Sequence, residues 1–367
     1  MEKRKSSMEK LEINFYKKKK ILITGATGFK GSWLSLWLYM MGAKVYGIGL
    51  KPDNHNHLFY KLKLSSKIKT NIFDIRDINK LKKIFINFKP EIIFHLAAQP
   101  IVSVSYLNPL YTFDVNFRGT ANILELCRNY NFVKSVVCIT SDKCYENKEQ
   151  SKGYKENDQL GGKDPYSASK AVAEILIRAY RESFFKKNCK IGIASARAGN
   201  VIGGGDWSSD RLVPDCVRSL IRNKTICLRN PNSNRPWQFV LEPLRGYLML
   251  GKKLYFDRKK YSTAWNFGNK SKSMISVKKI AAMIVKKWGK GKIKIIKNSK
   301  MFEHNILQLD ISKAEKNLKW TPIYNVKKSV IVTTDWYKDV FVKKKDPVQT
   351  SYKQIKEYVN ENTRSKA

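Results

Sequence analysis

Ile21-Leu22-Ile23-Thr24-Gly25-Ala26-Thr27-Gly28-Phe29-Lys30-Gly31 is the stretch that decides the fold. A short apolar strand runs into a turn whose glycines are spaced GxxGxxG, and then into a helical pattern. Gly25 permits the tight turn, Gly28 lets backbone approach a pyrophosphate, and Gly31 allows helix and strand to pack closely. The N-terminus of the helix offers free N–H groups and a partial positive charge to phosphates. Thr27 and Phe29, inside the same loop, join the glycines as expected cofactor contacts.

Working outward, β-rich apolar runs alternate with amphipathic segments over the first 200 residues. Strands are expected at 20–24, 44–48, 69–73, 92–95, 135–140 and 191–195, and helices near 30–41, 77–87, 112–129 and 165–185. Such alternation implies right-handed βαβ units and a parallel sheet covered on both faces. The fold class is therefore α/β, a Rossmann-type doubly wound parallel sheet. A looser region after residue 200, with helices expected near 212–222, 243–255, 277–287 and 311–318, reads as a smaller mixed α/β C-terminal substrate lobe. The expected divisions are a basic, solvated extension over 1–16, a dinucleotide-binding domain over 17–200, the substrate lobe over 201–342 and a polar, partly disordered tail over 343–367.

Composition narrows the function. A chain of 367 residues with 43% hydrophobic content can bury a sizeable core. The richest apolar run, Trp33 to Met41, is too short to span a membrane and reads as a buried helix. The basic N-terminus has no suitable apolar region or cleavage site for a signal peptide. The net charge of +41 comes from lysines spread along the whole chain, without arginines and aromatics interleaved as in nucleic-acid binders. It reads as a wet surface that attracts anionic substrates, not as a nucleic-acid interface. Six cysteines and four histidines show no metal-ligand spacing, so no metal and no disulfide framework is expected, which suits a reducing cytoplasm.

Two further stretches carry chemistry. Pro165-Tyr166-Ser167-Ala168-Ser169-Lys170 puts a tyrosine and a lysine four apart, on one face of a helix. An ammonium near a phenol stabilises the phenolate, which can then exchange a proton with a sugar hydroxyl while hydride moves to or from a nicotinamide. The fifth strand ends in Thr140-Ser141-Asp142-Lys143, at the edge of the sheet where ligands bind. A hydroxyl, a carboxyl and an amine side by side suit proton donation and removal on the substrate. The competing structural reading is a capped turn in which Asp142 bonds only backbone. The adenosine ribose is usually met by an acidic residue ending the second strand, but that strand runs into Leu50-Lys51, with Asp53 two residues late. The residues alone leave NAD and NADP both open.

Gly25-x-x-Gly28-x-x-Gly31, Leu96-Ala97-Ala98-Gln99, Asn116-x-x-Gly119-Thr120, Ser141-Asp142-Lys143-Cys144-Tyr145 and Tyr166-x-x-x-Lys170 occur in one order. Longer strings follow: Arg197-Ala198-Gly199-Asn200-Val201-Ile202-Gly203-Gly204-Gly205-Asp206-Trp207 and Arg235-Pro236-Trp237-Gln238-Phe239-Val240-Leu241-Glu242-Pro243-Leu244. Over roughly residues 17–340 the chain resembles the extended short-chain dehydrogenase/reductases that modify nucleotide sugars, and among them the CDP-glucose 4,6-dehydratases.

The resemblance implies a lyase that uses NAD without net redox change. Tyr166, with Lys170 and Ser141, would take the 4-hydroxyl proton as C4 is oxidised. Lys143 would then remove the C5 proton while Asp142 protonates the departing 6-hydroxyl, and hydride would return to C6. dTDP-glucose relatives carry Asp-Glu where this chain has Asp142-Lys143, and that swap favours CDP-glucose. The resemblance also assigns Asp74 and Ile75 to the adenine, Leu96, Ala97, Ala98 and Arg197 to the cofactor cleft, and Gln99, Asn200, Arg211 and Arg235 to the substrate. Relatives often have a basic residue where this chain has Ser103. The implied partner is a nucleotide sugar, with no nucleic acid and no membrane. Pairing through helices 112–129 and 165–185 implies a homodimer or homotetramer. The alternatives are another nucleotide-sugar dehydratase or epimerase, or a non-catalytic protein that senses a dinucleotide. Asp142-Lys143 argues against an epimerase, and the intact set against a sensor.

Overall fold

The computed structural model describes residues 14–150, 152–186, 190–269, 274–296 and 307–364. Seven strands make one sheet: β1 (Lys20–Thr24), β2 (Lys44–Gly49), β3 (Lys69–Ile72), β4 (Ile92–His95), β5 (Ser135–Ile139), β6 (Gly192–Ala198) and β7 (Ala264–Phe267). Their order is β7-β6-β5-β4-β1-β2-β3, with every neighbouring pair parallel. The order reverses at β1, so a crevice opens at the carboxyl ends of β1 and β4. Their register places Thr24 beside His95 at that edge.

Both faces of the sheet are covered, which is why its inner strands are continuous apolar runs. Ile21 and Ile23 of β1 pack into one core, and Leu22 between them packs into the other. Helices α1 (Phe29–Met40) and α5 (Leu241–Phe256) cover the first face. Helices α2 (Ile78–Phe88), α3 (Gly119–Asn129) and α4 (Pro165–Tyr180) contribute to the second. Asp77 caps α2 by accepting from Lys80 N, and Asp164 caps α4 by accepting from Ser167 N, just ahead of Tyr166.

The expected elements recur with ends shifted by a few residues, but four expectations need correction. The sheet does not stop near residue 200: β7, from the C-terminal part, pairs with β6. Helix α5, from the same part, lies on the sheet, with Ser135 Oγ donating to Gly251 O at 2.8 Å. The solvated extension ends sooner than residue 16, because Tyr16 is fully buried and donates its hydroxyl to Leu248 O; residues 1–13 lie outside the described residues.

The third correction is the tail, which forms α6 (Pro347–Arg364). Its Tyr358 hydroxyl donates to Glu242 Oε2 at 2.7 Å and accepts from Arg245 Nε at 3.2 Å. Trp37 of α1 meets the Tyr358 ring edge-on, so the docked tail explains why α1 is apolar almost all round. The fourth concerns the long helices. Residues 109–129 pass through a π turn at Asp114–Arg118, and α4 gives way to another at Arg181–Phe185. No helix among the described residues is long and apolar enough to cross a membrane.

Candidate active site

The glycine loop has the shape its spacing demands. Gly25 has φ +71°, and a Cβ there would lie 2.7 Å from Ala97 N, so the loop rides against the tip of β4. A Cβ on Gly31 would lie 2.0 Å from Gly25 O. Gly28 takes the N-cap position of α1 with no side chain capping it. The first N–H groups of α1 thus face a cradle free of side chains at Gly25 and Gly28, which fits a pyrophosphate. At the end of β2 a Cβ on Gly49 would lie 2.2 Å from Thr27 Oγ1, and Leu50, Lys51 and Asp53 are exposed. Beyond β3, Asp74 is tied to Arg76 by two side-chain bonds (3.0 and 2.8 Å) and Arg76 reaches on to Asp114 at 2.7 Å, while Ile75 packs beneath Gly119. Leu96, Ala97 and Ala98 are half-buried along the crevice wall.

A chain of polar groups fixes that wall. Thr24 Oγ1 lies 2.7 Å from His95 Nδ1, and His95 Nε2 lies 3.1 Å from Thr120 Oγ1. Burial, helped by the charge of Lys170, drives the imidazole pKa down to about 3, so His95 is a neutral strut. Asn116 spans from Gln99 to Ser169, donating to Gln99 O at 3.2 Å and to Ser169 Oγ at 2.8 Å. Gln99 belongs to this strut, contrary to the expectation that it binds substrate. Its Nε2 donates to Ile101 O and Thr112 Oγ1 at 3.1 and 2.8 Å, so both amide hydrogens are committed internally.

Tyr166 and Lys170 of α4 meet the tip of β5, and both are buried. Ser141 donates to Asp142 Oδ1 at 3.0 Å and accepts from Lys143 N at 3.2 Å. Lys143 Nζ lies 6.0 Å from the Tyr166 ring centre. Burial pushes the phenol up to about 12, opposed by the nearby Ser141 hydroxyl and the charge of Arg211. Burial drives the Lys170 ammonium down to about 8 and raises the Asp142 carboxyl above its ordinary range. A carboxyl raised this way suits a proton donor. Lys143 and Arg235 face Asp142 and oppose its shift, and a Cβ on Gly199 would lie 3.0 Å from Asp142 Oδ2. The runs containing Gly199-Asn200 and Arg235-Pro236 are therefore folded onto the acid. Arg211 pairs with Asp206 at 3.0 Å and faces Tyr166. Ser103 donates to Asp210 at 2.9 Å, and Asp210 also holds Arg229 at 2.9 Å.

Arg197, expected on the cofactor, is instead locked behind the site. It pairs with Glu174 at 2.8 Å and donates to the Tyr145 hydroxyl at 2.7 Å and Glu156 O at 3.0 Å. Glu174 also accepts from Thr140 and Ser195, at 2.5 and 2.7 Å. This network stitches β5 and β6 to the helix that carries Tyr166. Glu174 had a signal in the sequence, being one turn past Lys170 on the same face. Lys30 was missed too, although it sits inside the glycine motif: half-buried, it faces Arg211, Lys170 and Asp142, and burial brings it down to about 8.

A glycine-loop crevice beside a Tyr-x-x-x-Lys helix and a Ser-Asp-Lys strand tip defines an extended short-chain dehydrogenase/reductase. The chain belongs to the GDP-mannose 4,6 dehydratase family, whose model matches residues 22–332. It is 43% identical over 359 residues to the CDP-glucose 4,6-dehydratase of Salmonella typhimurium, covering 96% of this chain and 100% of that one. The fold is shared with epimerase Mth375 of Methanothermobacter thermautotrophicus, at TM-score 0.79 and 22% identity over 92% of this chain and 97% of the other. It is also shared with dTDP-glucose 4,6-dehydratase of Bacillus anthracis, solved in complex with NAD, at TM-score 0.73 and 20% identity over 88% and 97%.

Proposed function

We propose that this protein is an NAD-dependent lyase that converts CDP-D-glucose to CDP-4-keto-6-deoxy-D-glucose and water. One observation carries the reading: a buried carboxyl and an amine adjoin each other beside the Tyr166–Lys170 helix, in a chain similar along its whole length to a CDP-glucose 4,6-dehydratase. NAD, when bound, supplies the hydride acceptor at C4 and the hydride donor at C6.

The chain's own residues do the rest. Gly25, Gly28, Gly31 and the N-terminus of α1 hold the pyrophosphate, with Thr27, Phe29 and Leu96–Ala98 around the cofactor and Asp74 and Ile75 at its adenine end. Asn200, Arg211 and Arg235 hold the substrate diphosphate; an arginine fork suits phosphate. Tyr166 takes the proton from O4, with Ser141 at the facing strand tip and Lys170 one turn away. Lys143 takes the proton from C5, which the new C4 ketone has acidified. Asp142 gives its proton to O6, so the group that leaves is water. The Lys143 ammonium exchanges its protons with solvent and then protonates C5 as hydride returns to C6.

The same proposal includes self-association. Leu107 and Leu110 are 78% and 84% exposed, and Phe117 and Ile175 are exposed beside them. An apolar face of this kind, on residues 102–118 and α4, suits a second copy in a homodimer or homotetramer. A cytoplasmic setting is proposed too, supported by the buried free thiols of Cys127, Cys138, Cys144 and Cys216.

Mass spectrometry of the reaction in deuterated water tests the reading. The product should be lighter than CDP-glucose by one water and carry one deuterium at C5. Unchanged CDP-glucose, or a C4 epimer, would refute it.

A further inference from the structure

The run Gly203-Gly204-Gly205-Asp206 leaves the cofactor cradle and ends against an arginine. A Cβ on Gly203 would lie 3.0 Å from Phe29 Cζ, and Trp33 Nε1 donates to Gly204 O at 2.9 Å, so the run starts beside the first turns of α1. Gly205 has φ +82°, a turn that suits glycine. The Tyr337 hydroxyl then fixes the end of the run by donating to Asp206 O at 2.6 Å. The Asp206 carboxylate is divided between two residues. Its Oδ1 accepts from Ser208 N at 3.0 Å and from Ser208 Oγ at 2.7 Å, and its Oδ2 accepts from Arg211 Nη1 at 3.0 Å. The two side chains of that ion pair differ sharply in exposure: 4% for Asp206 and 36% for Arg211. Among the described residues the Arg211 guanidinium makes no hydrogen bond besides the one to Asp206. One nitrogen is therefore tied to a buried anchor, while the other N–H groups belong to a side chain that reaches solvent.

A carboxylate in this place has two opposing effects on an anionic ligand. It cancels part of the charge that attracts a diphosphate, and it holds the guanidinium in one orientation. The first effect is small in a chain of net charge +41, where attraction is in surplus and is screened by salt. The second is local, and no surface lysine can replace it. A planar fork grips phosphate only when it is aligned, and aligning it in advance spares the rotamer freedom otherwise lost on binding.

We propose that Asp206 is a positioning residue, whose buried carboxylate holds the Arg211 guanidinium ready for the diphosphate of the nucleotide sugar. Asp206 itself touches no substrate and acts only through Arg211. The proposal rests on the dehydratase reading above, in which Arg211 is a diphosphate ligand.

The test uses the full chain as wild type, Asp206→Asn, Arg211→Met and the double variant. Calorimetry gives Kd for CDP, a readout that needs no turnover, and initial rates give KM and kcat on CDP-glucose. Asparagine keeps an oxygen for Ser208 and removes the charge that holds Arg211. In Asp206→Asn, Kd for CDP and KM should rise together by more than about threefold, the range expected when one arginine must be ordered on binding. The values of kcat and of Kd for NAD should stay within about threefold of wild type, a split that general damage to the run beside α1 would not give. In the Arg211→Met background the same change should have no further effect beyond about twofold, because Asp206 then has nothing to hold. Tighter CDP binding in Asp206→Asn, or a rise below about threefold, would overturn the proposal. So would the full effect persisting in the Arg211→Met background, or an equal loss of NAD affinity. If Asp206→Asn does not fold, Arg211→Lys decides: CDP affinity within about twofold of wild type would overturn the proposal, since charge without a held fork would then suffice. Arg211→Met with wild-type affinity for CDP would remove Arg211 from the substrate site, and this proposal with it, while leaving the dehydratase reading in place. Wild type inert on CDP-glucose would overturn that reading and the proposal together.

Discussion

Replacing Arg197 with methionine separates support of the site from contact with the cofactor. The Glu174–Arg197 pair is 2.8 Å apart, with side chains only 3% and 4% exposed. In the folded protein Arg197→Met would strand the Glu174 carboxylate with just the Thr140 and Ser195 hydroxyls. Breaking a buried pair on one side costs about 3–5 kcal/mol. At about 2.1 cal/mol/K per residue, 367 residues give an unfolding entropy near 0.8 kcal/mol/K, so Tm should fall by roughly 4–6 °C. The double variant Arg197→Met/Glu174→Met removes the stranded charge and should recover more than about half of that loss.

The pH dependence carries a sign of its own. In the wild type, Arg197 and the hydroxyls hold the Glu174 carboxyl below its ordinary 4.5 in spite of burial, so that stability is present above 4.5 and fades as pH falls through the depressed value. In the single variant burial is opposed only by the Thr140 and Ser195 hydroxyls and the charge of Arg181, and the carboxyl should rise above 4.5. The variant is then best placed in acid and loses stability as pH rises through its raised value. The gap between the two proteins should therefore be narrow below 4.5 and widest at neutral pH. Urea unfolding and thermal scans across pH measure both effects, and NAD titration of the folded protein should give a Kd within about threefold of wild type. A single-variant loss below about 1 kcal/mol, or a double variant no better than the single, would refute this account of the network.

Other outcomes follow from the same geometry. Lys170 is brought down to about 8 from 10.5, so its ammonium is lost above pH 8 and kcat/KM of the free enzyme should fall on that side. Lys170→Met should abolish this limb. Because the folded form releases the proton first, the contribution of Lys170 to stability should improve, not worsen, between pH 8 and 10.5. Lys143→Ala should abolish C5 deuterium uptake while C4 oxidation persists, and wild-type exchange in that variant would end its assignment as the base. Asp142→Asn should lower turnover about 10²-fold or more with little change in KM, read by initial rates on CDP-glucose. Leu110→Glu, at a position 84% exposed, should shift the protein to monomers in light scattering without lowering Tm. An unchanged mass would move the interface elsewhere.

What the sequence determined by itself is local. The GxxGxxG spacing alone marked residue 31 as a place where helix and strand pack closely, and in the structure a Cβ there would lie 2.0 Å from Gly25 O. Tyr166 and Lys170 share a face because a helix repeats every 3.6 residues. The inner strands of the first 200 residues were legible because burial on both sides makes them apolar runs, whereas the edge strand β3, Lys69-Thr70-Asn71-Ile72, is largely exposed. What only the tertiary structure decided involves partners distant in the chain. Arg197 resembles a ligand residue until Glu174 and Tyr145 are seen to claim it. Gln99 looks free until Thr112 takes its amide. The polar tail reads as loose until Tyr358 reaches Glu242, 116 residues away. Periodicity and turn chemistry act between near neighbours, whereas the use to which a buried polar group is put depends on which distant segment folds against it.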